Sequence, residues 1–88
     1  MPYWLYLLEC EGGSYYAGIT LDVEARFFLH VTGRGARYTR SHFPLRVLAA
    51  ARYASKGDAL KAEYALKQLP RSQKLEFFAP SARAAQRA

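Results

Sequence analysis

Four polar side chains recur at regular intervals in the first third of this sequence. Tyr6 and Tyr16 are ten residues apart. Arg26 follows after ten more residues, and His30 after a further four. Each tyrosine lies in an apolar run typical of a β-strand, whereas the later segment has the apolar spacing of a helix, on which residues four apart share a face. The pattern predicts a β-hairpin and then a helix that turns Arg26 and His30 toward the sheet.

The remaining elements follow from apolar periodicity and from turn and cap residues. Asp22 or Thr20 can cap the first long helix and Ser55 the second. Leu45, Val47, Ala49 and Ala51 alternate as on one face of a strand. The sequence predicts strands over residues 3–9, 15–19 and 44–53, helices over residues 22–31 and 57–69, a short helix over residues 71–78 and a loop over residues 33–43.

The length and composition limit the possible architectures. The chain of 88 residues suits one domain over residues 1–78, followed by a flexible tail over residues 79–88 that lacks large apolar side chains. Its single cysteine, Cys10, excludes an internal disulfide and a multi-cysteine metal site. The sequence has no signal-peptide pattern and no long apolar run, so we expect a cytoplasmic protein without a membrane partner.

The basic residues are concentrated in the middle of the sequence. Eleven of the thirteen Lys and Arg residues lie between Arg26 and Lys74, together with only two of the seven acids. Such a distribution is typical of a protein that binds a polyanion. The alternatives are an acidic protein or membrane as the partner, and a surface whose charge serves solubility alone. Within the 33–43 loop, arginines alternate with glycine and an aromatic residue, which suits phosphate and stacking contacts. The candidate nucleic-acid-binding residues of this loop are Arg34, Arg37, Tyr38 and Arg40.

The predicted second long helix carries an acid among its apolar positions. Projection at 100° per residue places Glu63 and Lys67 within the apolar arc. An acid on a core-facing side needs a partner or a metal ion. The two alternatives are a functional carboxylate and a simple Glu63–Lys67 pair, which stabilises a helix by about 0.2–0.5 kcal/mol.

The ordered set of residues resembles the GIY-YIG nuclease superfamily. Trp4-Leu5-Tyr6 stands in place of Gly-Ile-Tyr, and Tyr16-Ala17-Gly18 stands in place of Tyr-Ile-Gly. The steps to Arg26 and His30 match the family, and Glu63 completes its pattern. The chain is most similar to the small stand-alone bacterial members, the UPF0213 group, whose pattern is echoed in Gly33-Arg34-Gly35-Ala36, Glu63-Tyr64 and Lys67-Gln68-Leu69.

The resemblance implies an α/β (α+β) fold in which helices flank a three-stranded antiparallel sheet, in the order β-β-α-β-α-(α). It implies a DNA endonuclease that depends on one divalent cation, Mg²⁺ or Mn²⁺, held by Glu63. In this scheme Tyr6 is, or assists, the general base, and Arg26 stabilises the transition state. Tyr16 and His30 orient groups or relay protons, and Lys67 is a further candidate for contact with DNA.

The sequence departs from the family pattern at two points. Trp4-Leu5 replaces Gly-Ile, which we expect to change packing but not the phenol. The sequence also contains no asparagine, which the superfamily often uses late in the domain, and this bears on activity. The alternative function is therefore a nucleic-acid-binding module with impaired catalysis. The sequence carries no added domain for reading base edges in a duplex, so we expect single-stranded or branched DNA with little sequence preference.

Overall fold

The computed structural model describes residues 1–79, so the tail predicted over residues 79–88 lies outside the described residues apart from Ala79. The strands are β1 (Tyr3–Cys10), β2 (Tyr15–Thr20) and β3 (Pro44–Tyr53), and the helices are α1 (Val23–Val31), α2 (Arg37–Ser41), α3 (Lys56–Lys67) and α4 (Arg71–Lys74). Short 3₁₀ turns follow β1 and α4. Within this part of the chain, no helix has both the length and the apolarity needed to cross a membrane.

The three strands form one antiparallel sheet in the order β2-β1-β3. This confirms the expected three-stranded α+β fold with flanking helices. The β1–β2 connection contains Gly12 and Gly13, both at φ 82°, a conformation that other residues rarely adopt. Arg71 fastens this turn to α4, because its Nε donates to the Gly13 carbonyl and its guanidinium lies 4.2 Å from the centre of the Tyr15 ring.

Both long helices begin at the cap residues that the sequence indicated. The carboxylate of Asp22 accepts a hydrogen bond of 3.1 Å from the backbone N–H of Ala25 at the start of α1. Ser55 Oγ accepts one of 3.2 Å from the N–H of Asp58 at the start of α3. Each cap satisfies a backbone donor that the first helical turn leaves unpaired.

The 33–43 segment is not wholly a loop, because α2 forms within it. This helix has five residues and no side-chain N-cap bond, so its own local interactions are weak. Thr39 is buried at 2% exposure, and its hydroxyl donates to the Ala36 carbonyl at 2.9 Å. Tertiary packing of Thr39, which no local sequence pattern encodes, therefore accounts for the turn of helix.

The prediction that Leu45, Val47, Ala49 and Ala51 share one face of the third strand is wrong. The register pairs Leu7 with Ala49 but pairs the next residue of β1, Leu8, with Val47. Leu48 is therefore the extra residue of a β-bulge, and the bulge transfers Val47 to the face opposite Ala49. Residues before and after this point present their alternating side chains to different sides of the sheet.

Alternate residues of β1 enter two separate apolar clusters. On one face, Leu5 and Leu7 pack with Ala17, Leu66 and Phe78, which brings α3 and the last 3₁₀ turn onto the sheet. On the other face, the buried Tyr6, Leu8 and Cys10 pack beneath partly buried side chains of β2, α1 and α2: Tyr16, Val23, Phe27 and Tyr38. The candidate phenol therefore lies inside the second cluster, under α1.

Candidate active site

A buried hydrogen bond joins β1 to α1 at the centre of the second cluster. The Tyr6 hydroxyl lies 2.8 Å from His30 Nε2, and the two residues are only 2% and 1% exposed. Alternation along β1 directs Tyr6 toward α1, and the helical spacing of Val23, Phe27 and His30 directs the imidazole toward the sheet. The expected core-facing placement of His30 is thus confirmed.

Two glycines leave the space that these rings occupy. Gly18 lies opposite Tyr6 in the hairpin, and a Cβ at position 18 would come within 2.5 Å of the Tyr6 hydroxyl oxygen. A Cβ on Gly35 would overlap His30 Nδ1. Since real Cβ contacts of this kind do not occur, a side chain at either position would displace the phenol or the imidazole.

The second nitrogen of the imidazole contacts the segment that precedes and forms α2. His30 Nδ1 is 2.7 Å from the Thr39 hydroxyl, which is 2.9 Å from the Ala36 carbonyl oxygen. The Ala36 N–H also points at Nδ1, at the longer distance of 3.4 Å. Hydrogen bonds on both nitrogens fix the plane of the ring, which therefore has no freedom to rotate away from Tyr6.

Burial and Arg26 set the protonation states of the pair. Burial raises the pKa of Tyr6 to about 12, Arg26 acts in the opposite direction, and Tyr16 and Glu63 raise it further. Burial lowers the pKa of His30 to about 4, and the positive charge of Arg26 lowers it as well. Arg26 therefore lies close enough to act on both groups. At neutral pH the phenol is protonated and the imidazole is uncharged.

Aromatic rings extend from the buried pair to the surface. Tyr16 meets His30 edge to face with ring centroids 5.2 Å apart, and Tyr38 stacks on Tyr16 at 5.8 Å. His42 then stacks on Tyr38 at 4.2 Å with an angle of 7° between the rings, and it is exposed. Tyr16 and His42 therefore both stack on the Tyr38 ring, and His42 is the exposed end of the series.

Glu63 has a partner within its own helix. Its carboxylate lies 3.2 Å from Lys67 Nζ, and its side chain is 19% exposed. This is the i,i+4 pair that the sequence left open as an alternative. The negative charge of Glu63 is also the smallest of the effects that raise the pKa of Tyr6.

The chemistry of the donor set decides which kind of metal site fits. Among residues 1–79, no three His, Cys, Asp or Glu side chains are grouped so that they could enclose a metal ion. Mg²⁺ commonly binds through one or two carboxylates and completes its coordination with water and substrate phosphates. Glu63 fits a cation shared with substrate in this way, whereas a closed protein cage does not fit.

The basic side chains around α2 point outward. Arg37 and Arg40 are exposed and three residues apart, so they share one side of α2, whereas Thr39 is buried on the other side. Arg34 is also exposed and lies just before Gly35. Within the described residues, none of these three arginines makes an ion pair, and neither does Arg26. All four guanidinium groups are available to bind phosphate.

The structure therefore brings Tyr6, Tyr16, Arg26 and His30 together, whereas Glu63 acts on Tyr6 only weakly through its charge and is not in hydrogen-bond contact with them. Sequence reasoning missed Thr39 as a partner of His30 and Gly35 as the space for its ring. It also gave no role to His42. Threonine and glycine fit no catalytic pattern at these positions, so no signal distinguished Thr39 and Gly35 from the rest of a binding loop.

A groove of about 600 Å³ lies on the same face of the sheet as Tyr6, beside the start of α1. Trp4, Val47 and Ala50 form its floor, and Asp22 and Glu24 lie at its rim. None of its lining residues belongs to the polar cluster. The two carboxylates give this groove a negative rim, which does not suit an anionic ligand.

The chain is similar in sequence to a known family and to proteins of other bacteria. Residues 2–76 match the GIY-YIG catalytic domain. A UPF0213 protein of Cupriavidus pinatubonensis is 56% identical over 77 residues, which are 88% of this chain and 86% of that protein. A UPF0213 protein of Streptococcus pneumoniae is 46% identical over 74 residues, which are 84% of this chain and 75% of that protein.

Two solved structures share the fold. The solution NMR structure of the UPF0213 protein BH0048 from Bacillus halodurans is 40% identical, with a TM-score of 0.56 over 90% of this chain and 84% of that one. The solution NMR structure of protein EF2693 from E. faecalis is 32% identical, with a TM-score of 0.65 over 93% of this chain and 88% of that one.

Proposed function

This chain belongs to the GIY-YIG nuclease family, within its UPF0213 proteins, and from that premise we propose that it is a divalent-cation-dependent endonuclease hydrolysing DNA phosphodiester bonds. The buried Tyr6–His30 hydrogen bond beside Arg26 carries the proposal. A phenol and an imidazole in contact can move a proton, and a guanidinium binds phosphate oxygens through two parallel hydrogen bonds. Together they supply proton transfer and charge stabilisation at one point.

Proton movement through this pair is concerted. With a phenol pKa of about 12 and an imidazole pKa of about 4, Tyr6 keeps its proton and His30 stays neutral in the free protein, so a phenolate and an imidazolium do not form in advance. Tyr6 instead takes a proton from the attacking water while it gives its own proton to His30 Nε2. The water oxygen bonds to phosphorus, the bond to the leaving oxygen breaks, and that oxygen gains a proton from solvent.

Arg26 links substrate binding to this relay. Its positive charge depresses the pKa of His30 in addition to the effect of burial. A phosphate bound to Arg26 brings a negative charge near the imidazole, which favours its protonated form and raises its pKa. Binding of the substrate therefore prepares His30 to accept the proton. The same guanidinium stabilises the additional negative charge of the pentavalent transition state.

Glu63 is the residue that would hold the divalent cation, for which Mg²⁺ and Mn²⁺ are the candidates. When bound, the cation neutralises charge on the scissile phosphate as a Lewis acid. The ion pair with Lys67 at 3.2 Å uses Glu63 Oε2, and the carboxylate has a second oxygen, Oε1, with which it could bind a cation. Lys67 is half exposed and flexible, and we assign it a contact with the DNA backbone.

The surface around α2 favours contact with a flexible DNA strand. Arg34, Arg37 and Arg40 are exposed cations that can neutralise successive phosphates, and none of them reads base edges in this proposal. His42 offers an exposed ring at the end of the aromatic series, where an unstacked base can pack. We therefore infer a preference for single-stranded or branched DNA with little sequence specificity.

A cleavage panel tests the proposal. The purified protein is incubated with single-stranded DNA, duplex DNA, flap DNA and RNA, in Mg²⁺, Mn²⁺ or EDTA, with the Tyr6→Phe variant in parallel. We expect cation-dependent cleavage of single-stranded and flap DNA and little cleavage by the variant. Equal activity in EDTA, or equal cleavage by Tyr6→Phe, contradicts the proposal. Faster cleavage of plain duplex contradicts the substrate preference alone.

A second candidate function is nucleic-acid binding without efficient catalysis. The Glu63–Lys67 ion pair and the absence of asparagine favour it, because the first occupies one oxygen of the metal-binding carboxylate and the second removes a residue common in the superfamily. Tight, salt-sensitive binding across the same panel without cleavage in either cation would support this alternative and exclude the endonuclease.

A further inference from the structure

We propose that Thr39 is a positioning residue that fixes the tautomer of His30, so that Nδ1 carries the hydrogen and Nε2 accepts the proton of Tyr6. This inference rests on the endonuclease proposed above for its catalytic consequence, but the tautomer itself can be measured without activity. Thr39 touches neither substrate nor metal in this scheme. It acts only through the imidazole, to which it is joined by a hydrogen bond of 2.7 Å.

The single hydrogen of the Thr39 hydroxyl determines the arrangement. The Thr39 oxygen lies 2.9 Å from the Ala36 carbonyl, which can only accept, so the hydroxyl donates to it. The same oxygen must then accept from His30 Nδ1, which therefore carries the hydrogen. A neutral imidazole has one N–H, so Nε2 is left as an acceptor facing the Tyr6 hydroxyl at 2.8 Å.

The opposite tautomer makes poorer hydrogen bonds. In that case Thr39 would donate to Nδ1 and would abandon the Ala36 carbonyl. The gain would be a hydrogen bond from the Ala36 N–H to Nδ1, but its distance of 3.4 Å exceeds the usual range for such bonds. One bond of 2.9 Å would be exchanged for one of 3.4 Å. The Nδ1–H tautomer leaves the Ala36 N–H facing a second donor, but at the longer of the two distances, and the shorter Thr39–Ala36 bond outweighs that contact. The Nδ1–H tautomer is therefore the favoured one.

Apart from the Ala36 N–H, no other described neighbour of the His30 ring competes with Thr39 in setting the tautomer. His30 is 1% exposed, so water does not compete at either nitrogen. Tyr16 meets the ring edge to face, and Gly35 lies against Nδ1 without a side chain. Arg26 acts on the ring through its charge and offers no acceptor. In the wrong tautomer Nε2–H would point at Tyr6, and the phenol could not pass its proton to the imidazole.

The test combines NMR with kinetics on the full chain. Two-bond ¹H–¹⁵N correlation spectra identify the protonated ring nitrogen in the parent, Thr39→Val, Thr39→Ser and Thr32→Val proteins. The chain has two histidines, so a His42→Gln variant assigns the His30 signals. Thr32 is the matched control, because it is an exposed threonine whose hydroxyl bonds only to backbone carbonyls at the end of α1. Cleavage and DNA affinity are measured for the same proteins.

We expect Nδ1–H at His30 in the parent, in Thr39→Ser and in Thr32→Val. In Thr39→Val we expect a changed or mixed tautomer, and a saturating cleavage rate lower by about 10²-fold with little change in DNA affinity. A parent spectrum showing Nε2–H overturns the inference, as does a folded Thr39→Val protein with the parental tautomer and rate. If Thr39→Val does not fold, the parent and Thr39→Ser spectra still decide. An inactive parent that shows Nδ1–H refutes the endonuclease and leaves the tautomer assignment standing.

Discussion

Tyr6 and Gly18 face each other across β1 and β2, and the space a side chain would fill at position 18 is occupied by the phenol. We expect Gly18→Ala to destabilise the protein by about 1–3 kcal/mol, as overpacking of a core does, and to remove activity by displacing the hydroxyl. Gly57→Ala is the matched control, because its Cβ would meet nothing closer than 3.9 Å and lies in the first turn of α3. Thermal melts and cleavage rates compare them, and equal behaviour of the two variants would contradict the close approach.

Tyr6→Phe and Arg26→Ala should lose rate far more than binding. Each variant removes a contact that strengthens in the transition state, so we expect a loss of about 10²-fold or more, on the order of 3 kcal/mol. Tyr53→Phe and Arg52→Ala are controls with the same chemical changes outside the cluster. Single-turnover rates at saturating DNA give the measurement. Parental rates in both test variants would make these residues structural.

Glu63→Ala should abolish cation-dependent cleavage and leave the domain folded. The Glu63–Lys67 pair is partly exposed, and such i,i+4 pairs contribute only about 0.3–0.5 kcal/mol. The loss of activity therefore cannot come from unfolding. Glu76→Ala, which removes an exposed acid near the end of the described chain, is the control. Titration of Mn²⁺ followed by calorimetry should show binding to the parent with DNA present and weaker binding to Glu63→Ala, and identical isotherms would exclude Glu63 as the ligand.

Replacement of Arg34, Arg37 and Arg40 by alanine should weaken DNA binding and reduce its salt dependence. Each lost phosphate contact lowers the slope of log K against log salt by about 0.7 on a single strand, so the triple variant should lose roughly 2. Replacement of Arg46, Arg52 and Lys61 by alanine is the control, because it lowers the net charge by the same amount at positions away from α2. The rate at saturating DNA should change little. A collapsed rate with an unchanged slope would instead place these arginines in the catalytic machinery.

Stability should fall in mildly acidic solution because His30 is buried without charge. Its pKa drops from 6.5 to about 4 on folding, so between these values the unfolded chain binds the additional proton. The contribution of the neutral His30 to the free energy of unfolding is complete above pH 6.5. It is lost as the pH falls toward 4, by about 3 kcal/mol in total. Denaturant midpoints measured against pH should show this slope in the parent and in His42→Gln, and should lose it in His30→Gln. Tyr6 acts oppositely, since its raised pKa makes stability decline above pH 10.

The sequence was sufficient where local chemistry decides structure. Asp22 and Ser55 cap the helices that their side chains predicted. The position of His30 in the apolar arc of α1 correctly predicted that its imidazole faces the sheet. These outcomes depend on periodicity and on single hydrogen bonds within a few residues.

The sequence was insufficient where distant contacts decide. The turn of helix in α2 depends on burial of Thr39 against His30, nine residues away, and five residues give no periodic signal. The bulge at Leu48 in β3 depends on the fit to β1, so an unbroken apolar alternation suggested the wrong face for Val47. The Glu63–Lys67 spacing was equally compatible with an ion pair and with a metal ligand.

The alternation of β1 links the packing of the core to the assembly of the proposed site. Leu5 and Leu7 belong to the cluster under α3, whereas Tyr6 and Leu8 belong to the cluster under α1. A slip of β1 by one residue exchanges the two faces. It would drive a phenol into an aliphatic cluster and withdraw it from His30. A mispaired chain can therefore neither bury its leucines nor assemble its polar pair, so one strand register determines both the apolar core and the proposed site.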